Sequence, residues 1–62
     1  MTPDVEGPVV TAVGMRGKRG RVTIHIHKSG LLRVYKAGAL IGEYEHADMA
    51  YDFARQQSGF GG

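Results

Sequence analysis

The chain contains no cysteine and no tryptophan. Without thiols, no disulfide can staple the fold and no thiolate can hold a metal or attack a substrate. A reducing compartment suits that composition, and the expected location is cytoplasmic. No apolar run approaches the roughly 20 residues of a membrane-spanning helix, and the acidic opening MTPDVEGPVV lacks the order of a secretory leader. A membrane partner is therefore not expected. Prolines are confined to Pro3 and Pro8, so everything after them is free to form regular structure. Charge of one sign is also lacking: Lys and Arg number 8 against 6 Asp and Glu, a net +2. That balance permits nucleic-acid binding without demanding it.

At 62 residues the chain makes one domain. Such a domain buries only about 60% of its unfolded surface, which limits it to about one helix on one sheet. The expected division is an arm at 1–8, a folded ββββα unit at 9–57 and a short tail at 58–62.

The most informative stretch is 21–44, RVTIHIHKSGLLRVYKAGALIGEY. Two turns, Lys28-Ser29-Gly30 and Lys36-Ala37-Gly38, each fit a three-residue hairpin loop closed by a left-handed glycine. Residue 27 then faces 31, and residue 35 faces 39. Directly paired residues share a face and successive residues alternate. Even positions (Val22, Ile24, Ile26, Leu32, Val34, Leu40, Gly42, Tyr44) become the inner face. Odd positions (Arg21, Thr23, His25, His27, Leu31, Arg33, Tyr35, Ala39, Ile41, Glu43) become the outer one. The eight-residue spacing of the two turns is hairpin rhythm, since two units are too few for a solenoid.

Upstream, 9–13 (VVTAV) has the β-branched content of a strand, and 14–20 (GMRGKRG) reads as the basic tip of a hairpin joining it to 21–27. From 46 to 57 the period becomes helical, with Ala47, Ala50, Phe53, Ala54 and Gln57 on one side and Met49 at its border. Phe53 and Met49 are expected to pack on Ile24, Ile26, Val34 and Leu40. Tyr51 reads as packing at the stripe's edge. Glu45 and Asp48 suit the start of the helix dipole, and Gly59 suits its end. The fold class is α+β: an antiparallel meander of three or four strands against one C-terminal helix.

Three sets of side chains offer chemistry. The outer sheet face places His25 beside Arg33 and Thr23 beside Tyr35. With Arg21 and the tip residues Arg16, Lys18 and Arg19, it has the ingredients of a major-groove reader with phosphate-gripping loops. Secondly, the carboxylates Glu43, Glu45, Asp48 and Asp52 form an acidic counterpart able to dock on a basic protein surface. They lack a cleft that would tune an acid–base pair, so no enzyme is expected. His25, His27 and His46 could in principle make a zinc site. With no acidic or thiol ligand in register, no metal or other cofactor is expected. Leu31 and Ile41 on the outer face could seed a weak dimer; otherwise a monomer is expected. The terminal Gly61-Gly62 has no strands between it and the helix, unlike the ubiquitin-like carriers.

Arg16-Gly17 ahead of the sheet, Gly42-Glu43-Tyr44 before the helix and Ala50-Tyr51-Asp52 with Ala54 within it resemble the plant ethylene-response-factor type of DNA-binding domain. They are similar also to the arm-binding domains of phage and transposon integrases. The resemblance spans about residues 16–55 and implies three strands packed on one helix, with duplex DNA read by the outer sheet face through Arg21, Arg33 and Tyr35. The family's sheet tryptophans are absent here, and the gap from Gly42 to Ala50 is about one helical turn short. By build alone the chain is also similar to small phage-encoded inhibitors, including anti-CRISPR proteins. That similarity implies a host protein as partner and the acidic residues as the contact surface.

Overall fold

A computed structural model describes residues 7–59. Four strands, β1 (Val9–Gly17), β2 (Gly20–His27), β3 (Leu32–Lys36) and β4 (Ala39–Tyr44), form an open antiparallel sheet in sequence order. One helix, α1 (Ala47–Ser58), covers one face and lies chiefly over β2. Residues 1–6 of the expected arm and 60–62 of the expected tail, with the terminal Gly-Gly, lie outside the described residues.

The core is built by the inner parity of the central strands. Val22, Ile24 and Val34 are fully buried, with Leu32 and Met15 nearly so. Ile26 is half-buried against them. The helix turns its smallest side chains inward: Ala50, Ala54 and Ser58, at i, i+4 and i+8, are all solvent-free. That stripe lets the helix backbone approach the sheet closely. Phe53 closes one flank against Tyr44, with ring centroids 5.5 Å apart, over Gly42. A Cβ on Gly42 would lie 3.1 Å from both rings, so the missing side chain makes room for them. With the small stripe facing inward, Met49 falls at the border and stays 55% exposed, and Ala47 is exposed too. Neither joins the core as expected.

The first turn behaves as read. His27 N–H donates to the Leu31 carbonyl at 2.8 Å, and Gly30 takes φ 101°. The second turn does not. Lys36 pairs with Ala39, leaving Ala37 (φ 53°) and Gly38 (φ 81°) as a two-residue turn with both φ positive, the type I′ signature. Its twist suits the strands, although a left-handed alanine costs roughly 1–2 kcal/mol. A bulge at Ile41 then restores the register, so that Val34 faces Gly42 and Tyr35 faces Leu40. Leu40 is thereby turned out (50% exposed) while Ile41 packs on the core, the reverse of the expected order. The outer-face dimer contact through Ile41 loses its residue accordingly.

Two further expectations are corrected. The basic segment 14–20 is mostly strand, with only Lys18 and Arg19 in the connection; Met15 faces Val22 and joins the core. His27, expected outside, is 6% exposed because Gly7 and Pro8 run across it. Its Nδ1 donates to the Gly7 carbonyl at 3.0 Å, the Lys28 N–H donates to the Pro8 carbonyl at 2.9 Å, and Nε2 is buried with no partner among the described residues. The folded body thus begins before residue 9, and at its other end includes buried Ser58 and the Gly59 cap.

The last turn of α1 accounts for every carbonyl it leaves open. Gly59 (φ 74°) returns its N–H to the Arg55 carbonyl, and the Arg19 guanidinium reaches the Gln56 carbonyl. The Lys36 ammonium reaches the Gln57 carbonyl, and the Arg19 N–H reaches the Ser58 carbonyl. These bonds tie the first two-residue turn and the β3 residue that flanks the second to the helix end, where cations also complement the dipole.

Two stability outcomes follow. Leu40→Ser should change unfolding free energy by no more than about 0.5 kcal/mol, whereas Ile41→Ser should cost about 1–2 kcal/mol. Urea unfolding would show the reverse order if the second turn held three residues. Lys36→Met, which keeps the aliphatic stem but strands a carbonyl, should cost about 1–2 kcal/mol by the same measurement.

Candidate nucleic-acid interface

Among the described residues, no element crosses the outer face of the sheet, since α1 lies on the inner one. Cross-strand registers arrange that face in rows: Ala12, His25, Arg33 and Glu43 make one, and Gly14, Thr23, Tyr35 and Leu40 make the next. Arg16 faces Arg21 in a third, nearest the turns. His25 and Tyr35 meet on the diagonal between rows, with ring centroids 4.6 Å apart and planes tilted by 43°. Beside them lies an open groove of about 650 Å³. Arg19, Arg21, Thr23, His25, Tyr35 and Lys36 line it, with Gly20, Ala37 and Gly38 at its end. Its surface is mostly apolar. Gly38 and Gly20 keep the end open because no side chain stands there.

The structure divides the expected nucleic-acid-binding residues into three groups. Arg21, His25, Tyr35 and Arg19 line the groove, although Arg19 is also engaged with the helix end. Arg16 and Lys18 are exposed at the same end of the molecule. Arg16 lies directly opposite Arg21, and neither forms an ion pair among the described residues. Two like charges on directly paired residues repel, and nothing in the packing requires them. Arg33 stands apart: its Nε donates to Glu43 Oε2 at 2.8 Å, in a pair of which Arg33 is 23% and Glu43 49% exposed.

That pair also divides the expected acidic surface. Glu43 projects from the outer sheet face, while Asp48 and Asp52 lie on the helix across the core, and Glu45 precedes it. The four carboxylates therefore do not form one patch. Asp48 and Asp52 instead flank a shallow groove with Met49, Tyr51 and Arg55. The three histidines are likewise dispersed. His25 faces out, His27 lies beneath Gly7 and Pro8, and His46 precedes the helix; no metal-holding cluster occurs among the described residues.

Charge is distributed along the strands rather than between faces. Arg16, Lys18, Arg19, Arg21 and Lys36 gather where the two-residue turns meet the helix C-terminus. Glu45 and Asp48 lie at the helix N-terminus. Lys36 was not among the expected binding residues. Its pairing with Val22 gives it the inner parity, from which its ammonium reaches the helix end. No helix among the described residues is long and apolar enough to cross a membrane.

The chain matches no protein-family model, and comparison with curated proteins and with solved structures finds no match either.

Proposed function

We propose that this protein binds nucleic acid through the outer face of its sheet. The observation that carries the reading is the Arg16–Arg21 pair, two exposed cations held opposite each other beside a groove walled by Thr23, His25 and Tyr35. Their repulsion is relieved by an anion seated between them, and a phosphate's several oxygens suit two guanidinium forks. Lys18 at the neighbouring turn extends the positive rim for an adjacent phosphate. Arg19 and Lys36 contribute field at the groove but retain their helix carbonyls. Arg33, held by Glu43, is a weaker candidate than Arg21.

A second reading has one observation in its favour. Met49, 55% exposed, stands between Asp48 and Tyr51 on the helix, an apolar spot beside carboxylates. That combination suits a basic protein partner, as in a small phage-type inhibitor. Glu43 has no part in it.

Binding of labelled mixed-sequence oligonucleotides at two salt concentrations tests the first reading, because phosphate contacts release counterions. Affinity should fall steeply with salt. Arg16→Ala with Arg21→Ala should weaken binding and flatten the log–log salt slope by about one, the single phosphate the pair shares. The same double variant should unfold at or above the wild-type temperature, since it removes a cross-strand repulsion. Undiminished binding by that variant would refute the assignment. Loss of function from Asp48→Lys with Asp52→Lys, in a protein that binds no nucleic acid, would establish the second reading instead.

A further inference from the structure

We infer that the outer-face groove takes an unstacked base of a single-stranded nucleic acid, seated on the Tyr35 ring, rather than the base-pair edges of a duplex. The inference rests on the nucleic-acid reading above and names the form of strand it would take. Three observations carry it.

The first is the character of the groove walls. A duplex presents polar base edges and hides its base faces in the stack, so a duplex reader needs donors and acceptors arrayed toward those edges. Here the surface of the depression is mostly apolar, although Arg19, Arg21, Thr23, His25, Tyr35 and Lys36 along it each carry a polar group. Such a surface suits the flat face of an exposed base, and the cations beside it suit the phosphates on either side. At about 650 Å³ the space admits a nucleotide unit.

The second is the ring pair itself. His25 and Tyr35 are tilted by 43° instead of lying parallel, and His25 braces one side of the tyrosine. Tyr35 pairs with Thr23 on one side and with exposed Leu40 on the other. That row is a low apolar shelf on an open sheet, and base stacking of this kind tolerates any sequence because every base has a π-face.

The third is width. Four strands set the outermost axes about 14 Å apart. A major groove is about 12 Å wide and admits a helix or a two-stranded ribbon. This sheet laid flat on a duplex would meet the groove walls with β1 and β4 before Tyr35 reached the bases. A single strand has no such walls and can follow the face from the Arg16–Arg21 pair across the tyrosine.

The test compares a twelve-nucleotide oligothymidylate, a twelve-base-pair mixed duplex and thymidine monophosphate by fluorescence anisotropy or NMR titration. The single strand should bind about tenfold or more tightly than the duplex, and the monophosphate more weakly than the strand. Tyr35→Leu should lose about tenfold or more on the single strand while leaving duplex affinity unchanged; Tyr35→Phe, which retains the π-face, should keep single-strand affinity. In the wild-type protein the Tyr35 ring protons should shift upfield as the base stacks, a readout independent of any variant. Salt-dependent binding that favours the duplex, or is indifferent to Tyr35→Leu, overturns the single-strand assignment and leaves the phosphate reading standing. Equal affinity for the monophosphate overturns it in favour of a small-ligand site. Absence of salt-dependent binding to either polymer removes the nucleic-acid reading itself.

Discussion

The helix ends with open carbonyls, and satisfying them fixes how the two layers meet. A carbonyl left buried without a donor costs about as much as a lost hydrogen bond, so each needs a partner. Here the partners come from the first two-residue turn and the β3 residue that flanks the second: the main chain and side chain of Arg19, and the ammonium of Lys36. The sheet is thereby clamped to the helix at one end, and Gly59 completes the clamp with an N–H of its own. A Cβ on Gly59 would sit 3.3 Å from the Arg19 nitrogen, which shows how close the turn and the helix end lie. At the sheet itself, the stripe Ala50, Ala54 and Ser58 permits the same close approach.

That clamp has an electrostatic consequence for the open face. Two of the cations at the basic end already serve the helix dipole, and among the described residues Arg16, Arg21 and Lys18 have no comparable internal task. Arg16 and Arg21 oppose each other, a placement that weakens the hairpin. Arg33 shows the ordinary alternative on the same face, a cross-strand partner of opposite sign. Within one sheet, then, one arginine is neutralised internally and a pair is not. The distinction lies in what sits across the strand, which no count of basic residues reveals.

Much of the architecture was legible in the residues. Alternation in β2 and β3 assigned Val22, Ile24, Leu32 and Val34 to the interior, because a slip of one residue would have exposed all four. The helical period found Ala50 and Ala54, and Gly59 was recognised as the helix stop. Pairings of His25 with Arg33 and Thr23 with Tyr35 followed from the first turn's length and hold. Other parts were not legible. Lys28-Ser29-Gly30 and Lys36-Ala37-Gly38 look alike, yet one closes three residues and the other two. The difference depends on whether Ile41 or Leu40 reaches the core, a contact some distance away in space. His27 is buried by a segment twenty residues earlier, and Ser58 by a helix approach that only small neighbours allow. Met15 had the right spacing from Val13, but the surrounding glycines and basic residues disguised a strand as a loop.

The sequence by itself determined the order of the elements, with three or four strands left open, and the inner parity of the central strands. Those properties depend on neighbours within a few residues, through backbone propensity and the fixed periods of strand and helix. Tertiary structure alone decided which cations are engaged at the helix end, which arginines oppose one another, and that Ile41 instead of Leu40 packs on the core. Each of these depends on register between distant segments. One bulge on an edge strand is enough to exchange a buried side chain for an exposed one.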